Sequence, residues 1–225
     1  MPDQAFAIVA RLPGWRLAEI VAQLCCRAAE IATCLASPAP DRAQVGLAEF
    51  LLAPREPTAA AVGTTHADLR QGVRTAVGEL ASILRDADAD RLVTTRLGGM
   101  RLDEFAAASC VEGVVYGLDL VAGMPDAGCA PDREATKIST KALLAALITR
   151  APGKSVEVRV PPIAAVQCVD GPRHTRGTPP NVVETDPITW IELAAGRVAW
   201  REATDDGRLR ASGERSDLRG LLPLL

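Results

Sequence analysis

The chain has 225 residues and a net charge of -3, with 25 basic and 28 acidic residues. Because this length exceeds the usual ~150 residues per domain, two small domains are favoured over one. The charges are nearly balanced and interspersed along the chain, which argues against the basic face that nucleic acid or an anionic membrane would require. We therefore expect no nucleic-acid partner.

The cysteine pattern and the first residues indicate in which cellular compartment the protein is expected. Six cysteines stand at positions 25, 26, 34, 110, 129 and 168, without a C-x-x-C pair and without a histidine at zinc spacing. This pattern argues against a disulfide framework and against a structural zinc. The opening MPDQAFAIVARLPGW does not resemble a signal peptide, and we find no apolar run of the ~18 residues that a membrane span needs. We expect a cytoplasmic protein with reduced thiols and no integral membrane segment.

Two amphipathic helices are predicted in the first part of the chain. After Pro13-Gly14, segment 15–35 places apolar residues at helical intervals. A Pro- and Ala-rich stretch follows, and Thr65 with Asp68 three residues later predicts the capped start of a second helix that runs to about residue 86. The apolar stripes consist of Leu17, Ile20, Val21, Leu24, Ala28 and Ile31 in the first helix, and of Leu69, Val73, Val77, Leu80 and Leu84 in the second.

A third helix is predicted over residues 102–122, and it carries an unusual polar row. Within CVEGVVYGLDLVAG, residues Glu112, Tyr116 and Asp119 have i, i+4 and i+7 spacing, which places them on one face beside the apolar stripe. Such a row could hold a metal, exchange a proton, or mark the edge of a packed helix. A fourth helix, ATKISTKALLAALITR, ends at Pro152-Gly153, and four helices in succession predict an antiparallel bundle.

The pattern changes after Gly153. VEVRV alternates as a strand does, Pro161-Pro162 interrupts it before a second strand, and NVVET and RLRASG are further strand candidates. Asp186-Pro187 resembles an N-cap followed by proline at the first helical position, so PITWIELAA is predicted as a short helix. SDLRGLLPLL is predicted as a last short helix. This part is a small α+β unit.

The sequence resembles a known family in its first part. LPGWRLAEIVAQL and the later EGVVYGLDL are similar to the N-terminal DinB-like bundle of the mycothiol-dependent maleylpyruvate isomerases. In that family a His from the first helix and a Glu-x-x-x-His from the later helix hold a divalent metal. Those positions fall here on Gln23, Glu112 and Tyr116. Gln is a weak neutral ligand and a phenol must lose a proton to bind well, so we expect no metal. The simpler interpretation is that Glu112 and Tyr116 form a buried or half-buried hydrogen-bonded pair, and the alternative is that Gln23, Glu112 and Tyr116 contact a small ligand.

The last part resembles the bacterial sterol-carrier-protein orthologue domain. The similarity extends from VEVRVPPIAAVQC through ETDPITWIELAAGRVAW to the last residues, and covers roughly 138–225. It implies helices over a short sheet with an apolar space for a lipid chain. Here Trp190 lies on the predicted helix above the sheet, which makes it a candidate ligand contact, although a core role is the simpler interpretation.

The segment RHTRG supplies the remaining candidates. Arg173, His174 and Arg176 precede a Thr-Pro-Pro turn and could clamp a carboxylate or phosphate, because Arg presents a planar fork of donors. A surface loop whose arginines pair with Glu184 or Asp186 is the simpler alternative. Neither histidine in the chain has a Ser or Cys partner at a readable spacing, so no nucleophilic triad can be argued.

Together these observations predict a mixed α and α+β protein. Its domains are a DinB-like four-helix bundle with a degenerate metal site over 1–135 and a sterol-carrier-like α+β domain over 136–225. We favour a non-catalytic binding or carrier protein for a small apolar or lipid-like ligand, without a cofactor. The alternatives are a metal-independent, thiol-dependent isomerase or transferase, and an interaction module with the bundle as its dimer face. A homodimer stays open. Fold alone does not decide among these functions.

Overall fold

The computed structural model describes residues 1–55, 65–85, 87–171 and 180–225. Contacts within the chain divide it into two compact units. Unit 1 comprises Met1–Gly46 and Glu56–Pro131, and unit 2 comprises Leu47–Arg55 and Asp132–Leu225. The domain ranges 1–135 and 136–225 concern independent folding and stay a prediction.

The regular elements mix helices with short strands, as the predicted fold class requires. In chain order the helices are α1 (Leu17–Ala36), α2 (Leu47–Leu52), α3 (His66–Arg85), α4 (Leu102–Gly123), α5 (Arg133–Arg150), α6 (Pro187–Ala194) and α7 (Trp200–Asp205). The strands are β1 (Leu92–Thr95), β2 (Gly98–Arg101), β3 (Val156–Val160), β4 (Ala164–Cys168), β5 (Val182–Thr185) and β6 (Leu209–Ser212). The predicted mixed α and α+β class is confirmed.

Unit 1 contains α1, α3 and α4 together with an antiparallel hairpin of β1 and β2. The predicted capping box at the start of α3 is confirmed, since Asp68 N–H donates to Thr65 Oγ1 at 3.2 Å and Thr65 N–H donates to Asp68 Oδ2 at 3.1 Å. The fourth predicted helix, α5, belongs to unit 2, where it packs on α2, α6 and β4.

Among the residues that the structure describes, helix α3 is most deeply buried near its N-terminal end. Leu69 joins an apolar cluster with Phe6 and residues of α1, and the ring of His66 stacks on Phe6 with 4.4 Å between centroids. The predicted stripe does not continue as core, because Val77 is 61% exposed and Leu84 is 37% exposed. Within the same stripe, Val73 packs against this cluster and Leu80 is half-buried, so the stripe is only partly covered in the second half of the helix.

Helix α4 is long and apolar enough to pass the usual length and hydropathy test for a membrane span. From the sequence we expected no such stretch, and on this criterion that expectation is wrong. The core helix of a soluble protein passes the same test. In unit 1, α4 packs on α1 and on the β1–β2 hairpin, and eight of its residues are buried.

Unit 2 is built on a four-stranded sheet of order β4-β3-β5-β6, in which β3 and β5 are parallel and the other neighbours antiparallel. Strand β3 buries Val156, Val158 and Val160 on one face and turns Glu157 and Arg159 to the other. Strands β3 to β6 and helix α6 were predicted and are confirmed. SDLRGLLPLL forms only a 3-10 turn at Arg219–Leu221, so the predicted last helix is wrong.

Candidate functional site

The polar row predicted on α4 lies along the contact between α1 and α4. The two helices run antiparallel, because Leu17 at the start of α1 lies against Gly123 at the end of α4, and Arg27 further along α1 pairs with Glu112. A side chain at position 123 would collide with Leu17, since its Cβ would stand 2.9 Å from Leu17 Cδ1. Glycine at this position therefore permits the close approach of the helices.

Arg27 is the centre of charge in this contact. Its Nε lies 3.2 Å from Glu112 Oε2, and its Nη1 donates to Glu30 Oε2. The Arg27 side chain is only 13% exposed and that of Glu112 is 22% exposed. The cation therefore sits between two carboxylates in a largely desolvated place, where charge pairs interact more strongly than on the surface.

The protonation of Glu112 reflects these surroundings. Burial raises the pKa of the Glu112 carboxyl above its ordinary value, because removing the ionised form from water is costly. The positive charge of Arg27 lowers that pKa and offsets part of the shift, while the carboxylate of Glu30 adds to it. Arg27 is thus the main group that opposes the rise in the pKa of Glu112.

Gln23 lies one turn before Arg27 on α1 and is 2% exposed. Residues 20, 23 and 27 share one helix face, and the antiparallel register places Gln23 at the level of Tyr116 on α4. Its Oε1 is buried without a hydrogen-bond partner in the part of the chain that the structure describes. A buried acceptor of this kind costs free energy unless a donor reaches it.

The other members of the α4 row have different neighbours. Half-buried Tyr116 packs against the apolar cluster that contains Trp15, Leu17 and Ile20. The hydrogen bond between Tyr116 and Glu112 stays a prediction. Asp119 is fully buried and pairs with Arg11, whose Nε lies 3.1 Å from Asp119 Oδ1. Each carboxylate of the row therefore has an arginine from the first 27 residues as its counter-charge.

The residues present do not fit the divalent metal that the family resemblance implies. Among the described residues no group of three His, Cys, Asp or Glu side chains is placed to hold a metal ion. The strongest ligand of the candidate set, Glu112, already pairs with Arg27. At ~4 Å and an effective dielectric constant of about 20, a divalent cation and a guanidinium would repel each other by roughly 8 kcal/mol.

In unit 2 the candidate residue Trp190 lies on α6 and is 1% exposed. Asp186 caps this helix, since its Oδ1 accepts from the N–H groups of Ile188 at 2.9 Å and Thr189 at 3.1 Å. Trp190 Nε1–H is buried without a partner among the described residues, and so is Thr140 Oγ1 on α5. The other predicted residues, Arg173, His174 and Arg176, lie outside the described residues.

Sequence reasoning missed two features of unit 1. The first is the role of Arg27, for which the only sequence signal was its place on the face that carries Gln23. The second is a surface groove of about 430 Å³, lined by Ala32, Leu35, Ala36, Ser82, Ile83, Ala87 and Arg91. Arg91 is engaged at one end, where it donates to Ser37 O at 3.1 Å.

Comparison with known proteins supports both resemblances drawn from the sequence. Residues 132–224 match the family model described as bacterial SCP ortholog. A solved structure of a histidine-to-alanine mutant of the mycothiol-dependent maleylpyruvate isomerase is similar, with a TM-score of 0.57 at 15% identity over 94% of this chain and 84% of that chain. A second structure of that isomerase gives a TM-score of 0.55 at 14% identity over 88% and 81%.

At such low identity the likeness to these structures concerns the fold alone. Among curated proteins, none matches this chain in sequence. The predicted combination of a DinB-like fold with a sterol-carrier-like C-terminal domain is confirmed.

Proposed function

We propose that the protein binds and carries a small apolar or lipid-like molecule in the cytoplasm, and that the ligand is held in unit 2 beneath α6. The match of residues 132–224 to the SCP ortholog family supports a carrier role. The observation that carries the proposal is the indole N–H of Trp190, which is buried without a partner among the described residues. A ligand with an apolar body and one oxygen acceptor would satisfy it.

The burial around Trp190 decides how a ligand would enter. Trp190, Ile191 and Leu209 are each no more than 2% exposed, so this core is closed. Binding therefore requires this core to open, for example by a movement of α6 away from α5, on which it packs. We expect association to be slower than for an open pocket, because the competent state is only fractionally populated.

The test is a titration with fatty acids and fatty alcohols of increasing chain length, followed by tryptophan fluorescence. Each buried methylene contributes about 0.8 kcal/mol, so affinity should rise about fourfold per methylene until the chain exceeds the available space. Trp190→Phe should remove the fluorescence change, whereas Trp200→Phe, at the half-buried first position of α7, should retain it. The absence of a saturable change at every chain length would refute the carrier proposal.

A second candidate function has one observation in its favour. Two solved structures with a similar fold are of a mycothiol-dependent maleylpyruvate isomerase, and Glu112 here is a largely buried carboxyl whose pKa is raised, as is common for acid-base groups. A metal-independent, thiol-dependent isomerase would use Glu112 as its proton carrier. Assay of maleylpyruvate with mycothiol tests it: turnover that Glu112→Gln abolishes would replace the carrier proposal, and absence of turnover would remove the alternative.

A further inference from the structure

We propose that the Arg27 guanidinium takes the electrostatic place of the divalent cation in unit 1, so that the α1–α4 contact is a cation-centred site without a metal. This inference is independent of ligand binding in unit 2. Two of the residues that hold the metal in the resembling family are replaced here by Gln23 and Tyr116. In addition, the carboxylate that a metal would need, Glu112, already pairs with the positive charge of Arg27.

The first support is geometric. Arg27 Nε is 3.2 Å from Glu112 Oε2, and the same guanidinium donates to Glu30 through Nη1. Glu112 also receives a weaker favourable effect from Arg96, and these positive charges oppose the rise in the carboxyl pKa that burial causes. A metal ion would have to share Glu112 with a charge of the same sign in a place where water screens poorly.

The second support comes from Gln23, which does not depend on the Arg27 pair. Gln23 is only 2% exposed, and its Oε1 has no hydrogen-bond partner within the described ranges. The register of α1 against α4 places Gln23 one helical turn from Arg27, at the level of Tyr116. A buried polar acceptor therefore stands at the position that the family resemblance assigns to a metal-binding histidine.

The inference predicts that restoring the two imidazoles is not sufficient to restore metal binding. Gln23→His/Tyr116→His should retain no zinc after dialysis against a weak chelator, because Arg27 still neutralises Glu112. Adding Arg27→Met removes the charge and keeps a side chain of similar length. That triple variant should retain stoichiometric zinc, and with cobalt it should give the visible absorption bands of a tetrahedral site.

A matched control separates charge from shape. The triple variant with Arg27→Lys in place of Arg27→Met keeps the positive charge on a side chain of similar length, and should retain no zinc. Circular dichroism confirms that each variant is folded, and Arg27→Gln replaces Arg27→Met if the latter does not fold. Zinc retention by Gln23→His/Tyr116→His alone, or equal retention by the Met and Lys variants, would overturn the inference. So would a folded neutral variant that retains no zinc.

Discussion

Two arginines stabilise the carboxylates of α4 at separate levels of the same helix. Arg27 pairs with Glu112, and Arg11 pairs with Asp119 two turns further along. Desolvating a charge is costly, and a close counter-charge repays that cost only when the geometry is good. In both pairs, removing the arginine leaves a carboxylate in a place that water hardly reaches. These pairs are therefore more sensitive to substitution than the many ion pairs on the surface.

Substitution of Arg27 should destabilise the fold in a pH-dependent way. We expect Arg27→Met to lower the free energy of unfolding by roughly 2 kcal/mol near neutral pH, and Arg27→Lys by less. Without its cation, the pKa of Glu112 should rise further above the unfolded value. The folded state then binds more protons than the unfolded state, so stability is highest below the unfolded pKa and is lost as pH rises through the folded pKa.

Urea unfolding at about pH 4, close to the ordinary pKa of a glutamate, and at neutral pH measures this effect. The difference between Arg27→Met and the parent should grow at the higher pH. In Arg27→Met/Glu112→Gln most of the growth should disappear, because the Glu112 carboxyl is gone and only Glu30, the more exposed carboxylate partner of Arg27, remains. A pH-independent loss in Arg27→Met would show that the guanidinium acts through packing alone.

The candidate site could be predicted in part from the residues themselves. Helical spacing placed Gln23 on α1 and Glu112 and Tyr116 together on α4, and the structure has them on those elements. The pairing of Arg27 with Glu112 could not be predicted, because periodicity describes the face of one helix and carries no information on the register between two helices distant in sequence. Because the chain contains many arginines, its composition gave no reason to single out Arg27.

At the scale of elements, the predictions succeeded where a local chemical signal marks a boundary. Asp186-Pro187 begins α6, and Gly196 adopts a positive φ of 67° just beyond it, where a left-handed residue ends the helix. The β1–β2 hairpin was missed because its strands are four residues long and its turn lacks an Asn-Gly or Asp-Gly pair. Helix α7 has too few residues to show a periodic pattern.

The cap of α6 gives a prediction at this scale. Asp186→Ala removes the acceptor for the N–H groups of Ile188 and Thr189, and should cost about 1 kcal/mol of stability. Asp186→Asn keeps an acceptor and should cost less. Thermal unfolding of the three proteins checks the order. Equal melting temperatures would mean that water replaces the cap without loss.

At the scale of the whole chain, unit 2 is discontinuous in sequence. Helix α2 precedes most of unit 1 along the chain but packs on α5, and it buries Phe50 and Leu51. The match to the bacterial SCP ortholog family begins at residue 132 and therefore does not include α2. A sequence pattern could not assign α2 to unit 2, because a six-residue apolar helix is compatible with either neighbour.

The discontinuity predicts how an excised fragment behaves. A fragment of residues 132–225 lacks α2 and should unfold at a lower temperature than the same region in the full chain. A synthetic peptide of residues 45–55 should raise the fragment's melting temperature, since burying a phenylalanine is worth about 3 kcal/mol. The same peptide with Phe50→Ala is the control and should have little effect. A fragment that is fully stable without the peptide would contradict the role of α2.

The position of α2 in the chain also sets the order of events during biosynthesis. Leu52 leaves the ribosome long before Arg133, the first residue of its partner α5. Phe50 and Leu51 therefore lack their packing partner α5 while the remainder of unit 1 is synthesised. Unit 2 cannot complete its core until the last strand, β6, has been added, and the distant contact makes this step slow. During synthesis the chain thus exposes the apolar residues of α2, to which a chaperone can bind until the core of unit 2 is complete.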